Sequence, residues 1–428
     1  MCGITGFFDF EKKSNKYDLT VMTDRLSHRG PNNGYSFYEN ENLNIGLGHR
    51  RLSILDLSNY GHQPMHFEHL EIVYNGEVYN FKEIRTELQK LNYCFRSNTD
   101  TEVILKAYHK WGIKSVDKFI GMFAIGIYDK KENKFTLIRD RAGVKPCYYY
   151  NADKIFMFSS ELKSFHENKK FKKIINKDAL ALYMQHGYIP EPYCIFENTH
   201  KLKSGHYLEF DLKTRKINEY KYWDVLDFYN KPKLEISEHE GIHEVERLFK
   251  SAFEYRMISD VPVGIFLSGG YDSAVVAAIL QSNRSEKLKT FTIGFKEKKY
   301  DEISFARQTA TYLGTNHTDY YCTQQDALDI MLKLPEIYDE PLGDNSVIPT
   351  ILVSQIAKKD VDVCLSADGG DEIFGGYNKY TSIIKKIEIF GKMPDLLKPV
   401  LANVLRKQLV HKSLTIFGRM YNSKTRCN

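Results

Sequence analysis

The sequence has few cysteines, and they do not form a pattern. Its 428 residues include only seven, an odd number. They are Cys2, Cys94, Cys147, Cys194, Cys322, Cys364 and Cys427. This scatter shows neither the spacing of a disulfide framework nor the paired spacing of metal ligands. A disulfide-rich secreted fold is therefore excluded, and a reducing, cytoplasmic environment fits best.

Long apolar runs and a strong charge excess are also missing. No N-terminal stretch has the apolar core of a signal peptide, and no run approaches the ~20 apolar residues of a membrane span. Lys and Arg total 60 against 55 Asp and Glu, which gives a net charge of +5. We therefore expect neither a membrane nor a nucleic-acid partner. The 14 histidines are dispersed along the chain, so we expect no His-Glu-x-x-His helix and expect most of them to be ordinary surface or core residues.

The remaining composition is that of a globular protein, with 42% hydrophobic and 27% charged residues, and the length allows two domains. Residues 2–210 consist mainly of short predicted strands, interrupted by helices near 82–91 and 101–111. This pattern predicts a strand-rich α+β domain. Residues 211–237 are polar and contain Lys-Pro-Lys, so we predict a linker there.

Strands and helices alternate in residues 238–428. The pattern predicts a helix over 238–256, a strand over 261–267, a helix over 272–280, a strand over 289–295 and a helix over 304–313. A further buried strand is predicted over 361–365. This alternation indicates a second domain of the α/β class, with a doubly wound parallel sheet.

Cys2 directly follows the initiator Met1. Removal of Met1 would leave a thiol and a free α-amine on one residue. Because an α-amine has a pKa near ~8, well below the ~10.4 of a Lys side chain, it can accept the thiol proton near neutral pH. A terminal cysteine of this kind is suited to acyl transfer. Taken alone, however, a cysteine at this position is more often accidental and frayed.

Short segments of the first domain carry what a thiol attacking a primary amide would need. Arg50 or Arg51 could hold an α-carboxylate with its planar guanidinium, and acids such as Glu77 and Asp100 could hold an α-ammonium. The Asn75 amide and the Gly76 N–H would form an oxyanion hole, a feature worth about 3 to 4 kcal/mol per donor in comparable enzymes. Taken alone, Asn75-Gly76 is more typical of a hairpin turn.

A glycine-rich turn follows the strand predicted over 261–267. The segment Ser268-Gly269-Gly270-Tyr271-Asp272-Ser273 places backbone N–H groups and two hydroxyls at the start of a helix, an arrangement typical of phosphate binding. Because a carboxylate at Asp272 would repel phosphate unless a cation lay between them, the turn indicates a bound Mg²⁺. The alternative is a tight turn with an aspartate cap.

A second acidic turn, from Ser366 to Glu372, follows the strand predicted over 361–365. It would reach the same carboxyl edge of the sheet, where ligands bind in folds of this class. Asp272 and Asp371 could then hold one metal–nucleotide complex between them. Taken singly, Asp371 and Glu372 could simply be the acids of a helix start.

Many short motifs occur together and in order from residue 2 to about residue 380. They are Met1-Cys2-Gly3-Ile4, His28-Arg29-Gly30-Pro31, Arg51-Leu52-Ser53-Ile54-Leu55-Asp56, Asn75-Gly76-Glu77-Val78-Tyr79-Asn80, Ser268-Gly269-Gly270-x-Asp272-Ser273, Ser160-Glu161-Leu162-Lys163, Asp339-Glu340-Pro341 and Gly375-Gly376-Tyr377. In this combination the sequence resembles the glutamine-hydrolysing asparagine synthetases, which are ATP-dependent amidotransferase ligases.

The resemblance implies an N-terminal-nucleophile glutaminase domain, an αββα sandwich, followed by an ATP-pyrophosphatase-like synthetase domain. In this family Cys2 would attack the amide of glutamine and release ammonia. The resemblance assigns glutamine binding and oxyanion stabilisation to Arg51, Asn75, Gly76, Glu77 and Asp100.

At the second site the resemblance implies that ATP, with Mg²⁺, adenylates a carboxylate, conventionally the side chain of aspartate. Ammonia would then displace AMP to give the amide. The positions that match the ATP site of the family are Leu267, Ser268, Gly269, Gly270, Asp272, Ser273, Ile293 and Ser366. Those that match its metal site are Asp272 and Asp371.

Members of the family continue beyond the position that corresponds to Asn428, through helices that complete the acceptor pocket. The resemblance therefore implies that the synthetase domain is incomplete at its C-terminus, and a homodimer is a family-level expectation. Two alternatives to asparagine synthesis stay open. The acceptor could be another carboxylate, such as the uronic acid of a sugar nucleotide, or the protein could be a glutaminase or nucleotide-binding protein with an incomplete synthetase half.

Overall fold

Two antiparallel sheets dominate the first half of the chain. The computed structural model describes residues 1–295, 301–395, 397–399 and 403. With strands numbered in chain order, the first sheet contains, from edge to edge, β10 (Thr199–Lys201), β8 (Tyr148–Ala152), β9 (Ile155–Ser159), β1 (Gly3–Asp9), β3 (Asn44–Arg51) and β2 (Asn32–Glu39). The second contains β12 (Ile217–Lys221), β11 (His206–Asp211), β7 (Lys134–Arg139), β6 (Gly121–Asp129), β5 (Leu70–Val78) and β4 (Met65–Phe67).

These sheets pack face to face through an apolar layer that includes Phe8 and Phe158 from the first and Val73 and Phe135 from the second. The outer face of the first sheet packs against α1 (Lys16–Asp24), α4 (Leu162–Phe165) and α5 (Lys177–His186). That of the second packs against α2 (Phe81–Lys90) and α3 (Asp100–Trp111). The αββα sandwich and both predicted helices are therefore confirmed.

The stretch predicted as a linker, 211–237, has structure of its own. β12 lies within it and pairs with β11 as the edge of the second sheet, and α6 (Val225–Tyr229) follows. The strand was not predicted because its residues show no sustained alternation. The domain limits 2–210, 211–237 and 238–428 stay a prediction, since the chain divides into compact units of residues 1–366 and 367–428.

The third sheet is parallel, in the order β15 (Asn316–Cys322), β14 (Lys289–Phe295), β13 (Val263–Phe266) and β16 (Val363–Leu365). On one face, α8 (Tyr271–Ser282) and α9 (Ile303–Leu313) pack around Leu267. On the other, α12 (Val347–Ala357) packs against Phe266 and Phe291. The remaining helices of the first unit are α7 (Glu238–Arg256), α10 (Gln324–Met331) and α11 (Leu334–Ile337). The doubly wound parallel sheet is confirmed.

The second unit contains α13 (Gly370–Phe374) and α14 (Asn378–Gly391). The end of the predicted synthetase domain, from residue 404 onward, lies outside the described residues. Among the described residues, no helix combines the length and the apolar composition that crossing a membrane requires.

Within the first unit, two acidic side chains join the αββα sandwich to the segment between α11 and α12. Asp339 accepts the Leu162 N–H at 2.6 Å, and its other oxygen lies 3.4 Å from the Lys163 ammonium. Glu340 accepts the Ile195 N–H at 2.8 Å and lies 2.6 Å from the ammonium of Lys201. These contacts replace the water that each charge loses on burial.

Replacing Asp339 with Ala should destabilise this junction, because it leaves the Leu162 N–H without an acceptor and removes one of the two carboxylates beside the Lys163 ammonium, which keeps Glu161 at 2.8 Å. Loss of one partner of a buried hydrogen bond typically costs about 1 to 3 kcal/mol, so we expect a loss of about 2 kcal/mol in the free energy of unfolding, measured by urea denaturation.

Glu244→Ala is the matched control, since Glu244 pairs with Arg247 on the exposed surface of α7 at 2.6 Å. An exposed pair of this kind is worth about 0.3 to 0.5 kcal/mol. Equal losses of stability in the two variants would contradict the role given to Asp339.

Candidate functional site

Cys2 lies at the entrance of a small pocket in the sandwich. It precedes β1, whose pairing with β3 places Gly3 opposite Arg50, so Cys2 lies beside Leu52. The Leu52 N–H donates to the Cys2 sulfur at 3.4 Å. Burial raises the pKa of the thiol above its ordinary value, although the Leu52 contact opposes this. The thiol therefore stays protonated near neutral pH, and a base is needed to activate it.

Asn75 and Gly76 lie side by side on β5, paired with Ala124 and Phe123 of β6. Gly76 is required by close packing, because a Cβ there would lie 2.1 Å from the backbone oxygen of Met122. Asn75 is fully buried, and within the described part of the chain neither its side-chain oxygen nor its nitrogen has a hydrogen-bond partner. A buried amide left unpaired costs about 1 to 3 kcal/mol, a cost that a hydrogen-bonded ligand or water would remove.

Two carboxyl groups line the same pocket. Asp100, the first residue of α3, accepts hydrogen bonds from the Tyr74 hydroxyl at 2.7 Å and the Val78 N–H at 2.9 Å. Burial raises the pKa of Asp100, and burial together with the neighbouring Asp100 raises that of Glu77 well above its ordinary value. A bound cation would stabilise the ionised form of both groups.

Arg51 is almost fully buried and holds the loop that follows β3. Its guanidinium donates to the backbone oxygens of Leu55 at 3.0 Å, Asp56 at 2.5 Å and Ser58 at 2.9 Å. A Cβ at Gly61 would lie 2.0 Å from one of its nitrogens, so the loop closes tightly around it. These contacts use three of the five N–H donors and leave two for a ligand. The predicted grip on a carboxylate stays a prediction.

The structure therefore brings most of the predicted glutamine site together. The pocket is lined by Cys2, Arg51, Gly76, Glu77 and Asp100, and also by Gln63 and Tyr74, which the sequence did not indicate. Asn75 is not among the lining residues, although its neighbours Tyr74 and Gly76 form part of the pocket wall. Gln63 fixes this wall, since its side-chain oxygen accepts the Tyr74 N–H at 2.6 Å.

Two cations beside Cys2 were also missed. Arg29 donates to the Cys2 carbonyl at 2.8 Å, and the Lys145 ammonium lies 3.3 Å from the Met1 sulfur. Both side chains are buried. Burial, with the help of these cations, lowers the pKa of the Met1 α-amine to about 6. Arg29 belongs to a motif that carried the resemblance, whereas a lone Lys145 gave no sequence signal.

Glu161 contacts three basic side chains, one of which is Arg29. It lies 2.5 Å from Arg29, 2.9 Å from His28 and 2.8 Å from Lys163. Burial opposes its ionisation, but contacts with these three residues outweigh burial and hold the pKa of Glu161 far below its ordinary value. Lys163 also pairs with Asp339 at 3.4 Å, so an unbroken run of contacts reaches from the Cys2 carbonyl to the segment between α11 and α12.

The predicted nucleotide residues lie at the carboxyl edge of the parallel sheet. Leu267 directly follows β13 and donates its N–H to the Phe291 carbonyl of β14 at 2.9 Å, Ile293 lies on β14, and Ser366 follows β16. β13 and β16 are neighbours that flank the point where the strand order reverses, which is where ligands bind in doubly wound folds.

The turn after β13 is ordered by its own side chains. The Ser268 and Ser273 hydroxyls lie 2.9 Å apart, and Gly270 donates to the Ser268 hydroxyl at 3.1 Å. Gly269 donates to Glu302 at 3.3 Å, a residue that the sequence did not indicate. The first-turn N–H groups of α8 have no acceptor within the helix, as at every helix start, and suit a phosphate.

The two predicted metal ligands lie in different units. Asp272 is exposed in the first turn of α8, and Asp371 is half-exposed in the first turn of α13. A carboxylate beside a phosphate-binding helix start fits Mg²⁺, which takes oxygen ligands from one or two carboxylates and from substrate phosphates. That Asp272 and Asp371 share one ion stays a prediction.

The expectation that the chain contains no His-Glu-x-x-His helix was wrong. His239-Glu240-Gly241-Ile242-His243 on α7 has the spacing of a zinc protease helix, and the Nε2 atoms of its histidines lie 3.3 Å apart. The Glu240 carboxylate, however, accepts the Ser237 N–H and hydroxyl, both at 2.8 Å, and caps the helix. The glutamate is therefore occupied in the cap, and a protease site is not supported.

Comparisons with known proteins match both halves of the chain. Residues 1–223 match the family model described as "Glutamine amidotransferase domain", and residues 244–427 match "Asparagine synthase". The chain is 44% identical over 423 residues to "Putative asparagine synthetase [glutamine-hydrolyzing] 2" of Methanocaldococcus jannaschii, covering 94% of this chain and 80% of that protein.

It is 33% identical over 410 residues to "Asparagine synthetase [glutamine-hydrolyzing] 1" of Bacillus subtilis, covering 94% of this chain but 63% of that protein. Among solved structures it is similar to the glutamine phosphoribosylpyrophosphate amidotransferase of B. subtilis, at a TM-score of 0.40 and 12% identity over 75% of this chain and 81% of that one. A likeness this distant adds nothing to the assignment, whereas the two domain matches and the 44% identity establish that the chain belongs to the family of glutamine-hydrolysing asparagine synthetases.

Proposed function

We propose that this protein uses glutamine and ATP to convert aspartate to asparagine. The observation that carries the proposal is the pocket of Cys2, which is lined by a buried thiol and the acid pair Glu77 and Asp100, with the unpartnered amide of Asn75 next in sequence to Gly76 of the lining. These are the groups that breaking a glutamine amide requires, and the following domain belongs to a family of amide-forming ligases.

The pocket suits nucleophilic cleavage of the amide. Once Met1 is removed, the α-amine of Cys2 would accept the thiol proton, and Arg29 and Lys145 would favour its unprotonated form. The sulfur would then attack the glutamine carbonyl carbon, with the developing oxyanion held by Asn75 and the Gly76 N–H. Collapse of this intermediate releases ammonia and leaves a thioester, which water hydrolyses to glutamate.

Binding of glutamine follows from the charges that line the pocket. The two free N–H donors of Arg51 would hold the α-carboxylate. Glu77 and Asp100 would hold the α-ammonium, whose charge removes the cost of ionising two neighbouring carboxyl groups in a buried site. A substrate that lacks either charged group should bind poorly.

In the second half, we propose that ATP binds at the carboxyl edge of the parallel sheet. The adenosine would lie by Leu267, Ile293 and Ser366, and the phosphates by Ser268, Gly269, Gly270 and Ser273. Asp272 and Asp371 would hold Mg²⁺, which neutralises charge on the leaving pyrophosphate. Adenylation makes the acceptor carboxylate reactive toward ammonia, since AMP is a better leaving group than an oxide.

The acceptor is tested by pyrophosphate release from the purified chain with ATP, Mg²⁺ and glutamine. Release that depends on aspartate and accompanies asparagine would support the proposal. Release only with a uronate would move the protein to amidation of sugar acids. Glutamine hydrolysis without pyrophosphate release would leave it a glutaminase.

Cys2→Ala should abolish glutamine-dependent synthesis and spare synthesis from added ammonia, because only the first half needs the thiol. Asp272→Ala should have the opposite effect, removing synthesis and leaving glutamine hydrolysis. Pyrophosphate and glutamate assays on both variants measure the split. If both folded variants lost both activities, the division of labour would be contradicted.

Asn75→Ala should lower kcat for glutamine hydrolysis by about 10²- to 10³-fold, as loss of an oxyanion donor does, without loss of stability. The reason is that the Asn75 amide has no partner among the described residues. Glutamate production and thermal unfolding together check the prediction.

Asn80→Ala is the matched control. Asn80 donates to the Lys118 carbonyl and accepts the Ile120 N–H, both at 2.9 Å, so its loss should cost about 1 to 3 kcal/mol of stability. A larger loss of stability in Asn75→Ala than in Asn80→Ala would show that Asn75 is a structural residue.

A further inference from the structure

A second group of potential ligands lies on the sandwich, outside the residues that line the Cys2 pocket. Glu68 and His69 form the turn between β4 and β5, and His109 lies near the end of α3. One ligand atom from each lies within 4.8 Å of the other two. The turn and the helix end are 40 residues apart in sequence, so the fold, and not local sequence, brings them together.

The imidazole of His109 is held in one orientation. The Tyr93 hydroxyl lies 2.8 Å from its Nδ1 atom, and its Nε2 atom faces the Glu68 carboxylate at 2.9 Å. The Phe67 and Tyr93 rings pack edge-on against it, at centroid distances of 5.0 and 5.9 Å. A hydrogen bond on the far nitrogen is the usual way in which proteins orient a metal-binding histidine.

His69 completes the group from the other side. Its ring centroid lies 5.7 Å from that of His109, and its Nε2 atom lies 3.8 Å from the Asp129 carboxylate. Asp129 is itself fixed, because it accepts the N–H groups of Lys131 and Glu132 at 2.9 Å each. This carboxylate is within reach of the same imidazole and can support it when it binds a metal ion.

Glu68 is an unexpected residue for the turn. It has a φ of +51°, in the left-handed region that favours glycine or asparagine. A hairpin turn alone would not select a glutamate here. The position does, however, point its carboxylate at His109 across the gap between the turn and α3.

Two imidazoles and one carboxylate are ligands that zinc prefers. Around a tetrahedral ion with Zn–N distances of about 2.0 Å, neighbouring ligand atoms lie about 3.3 Å apart. The three ligand atoms lie within 4.8 Å of one another, so metal binding requires them to draw closer, by rotation of the exposed Glu68 side chain and movement of His69. Because the Glu68 side chain is 59% exposed, water can supply a fourth ligand.

We propose that Glu68, His69 and His109 bind one zinc-type divalent cation. The ion ties the start of β5 to the end of α3. β5 carries Asn75 and Gly76, and α3 begins with Asp100, about 14 Å away along the helix at ~1.5 Å per residue. The site is therefore a structural clip between two elements that also carry residues of the Cys2 pocket, and the proposal does not depend on the proposed reaction.

The test is equilibrium dialysis of the metal-free full chain against Zn²⁺, with thermal unfolding in parallel and Co²⁺ absorption as a report on tetrahedral geometry. Wild type should bind one ion at this site and melt at a higher temperature with Zn²⁺. His109→Ala should lose that ion and the rise in melting temperature. Tyr93→Phe should keep the ion but bind it at least about tenfold more weakly.

The pair His239 and His243 on α7 provides the matched control, because its Nε2 atoms lie only 3.3 Å apart and can also take a metal. The double variant His239→Ala/His243→Ala should retain the ion at the clip. The proposal is overturned if wild type binds no Zn²⁺, if folded His109→Ala binds as wild type does, or if only the double variant loses the ion. Circular dichroism of each variant separates loss of metal from loss of fold.

Discussion

A run of buried ion pairs sets the position of the nucleophile. Arg29 holds the Cys2 carbonyl and pairs with Glu161, and Lys163 links Glu161 to Asp339 beyond α11. Each of these charges would be costly if buried alone, because removing one partner of such a pair leaves an uncompensated charge. The segment before β1, the start of α4 and the segment before α12 must therefore keep one arrangement. A substitution that breaks a contact in any one of these segments should therefore shift the position of Cys2.

The Cys2 pocket contrasts with this run of fully paired charges. Asn75 is buried without a partner, and Glu77 and Asp100 are two acids with raised pKa values. A sequence selected for stability alone would pair or remove such groups. Their cost is offset when a ligand supplies a carbonyl oxygen to the amide and an ammonium to the acids. The surrounding pairs keep the backbone rigid enough to hold these groups in place before that ligand arrives.

The sequence predicts the architecture well and the contacts poorly. The pattern of apolar residues predicts β14 at 289–295 and α7 at 238–256, and the structure has the same limits. This works because apolar residues repeat with one period in strands and another in helices. Contacts such as that of Lys163 with Asp339 join residues 176 positions apart, and no local pattern contains them. The resemblance pointed to Asn75, yet its lack of a partner is visible only once every neighbour is placed. The i, i+4 spacing of His239 and His243, by contrast, is visible in the sequence alone.

The proposed chemistry depends on Cys2 as the nucleophile of a glutamine pocket. This role can be tested by mass spectrometry of the full chain after treatment with an electrophilic glutamine analogue. We expect one adduct, on Cys2 of chains that have lost Met1, and protection by glutamine. An adduct on another cysteine, or no adduct in a preparation that still hydrolyses glutamine, would contradict it.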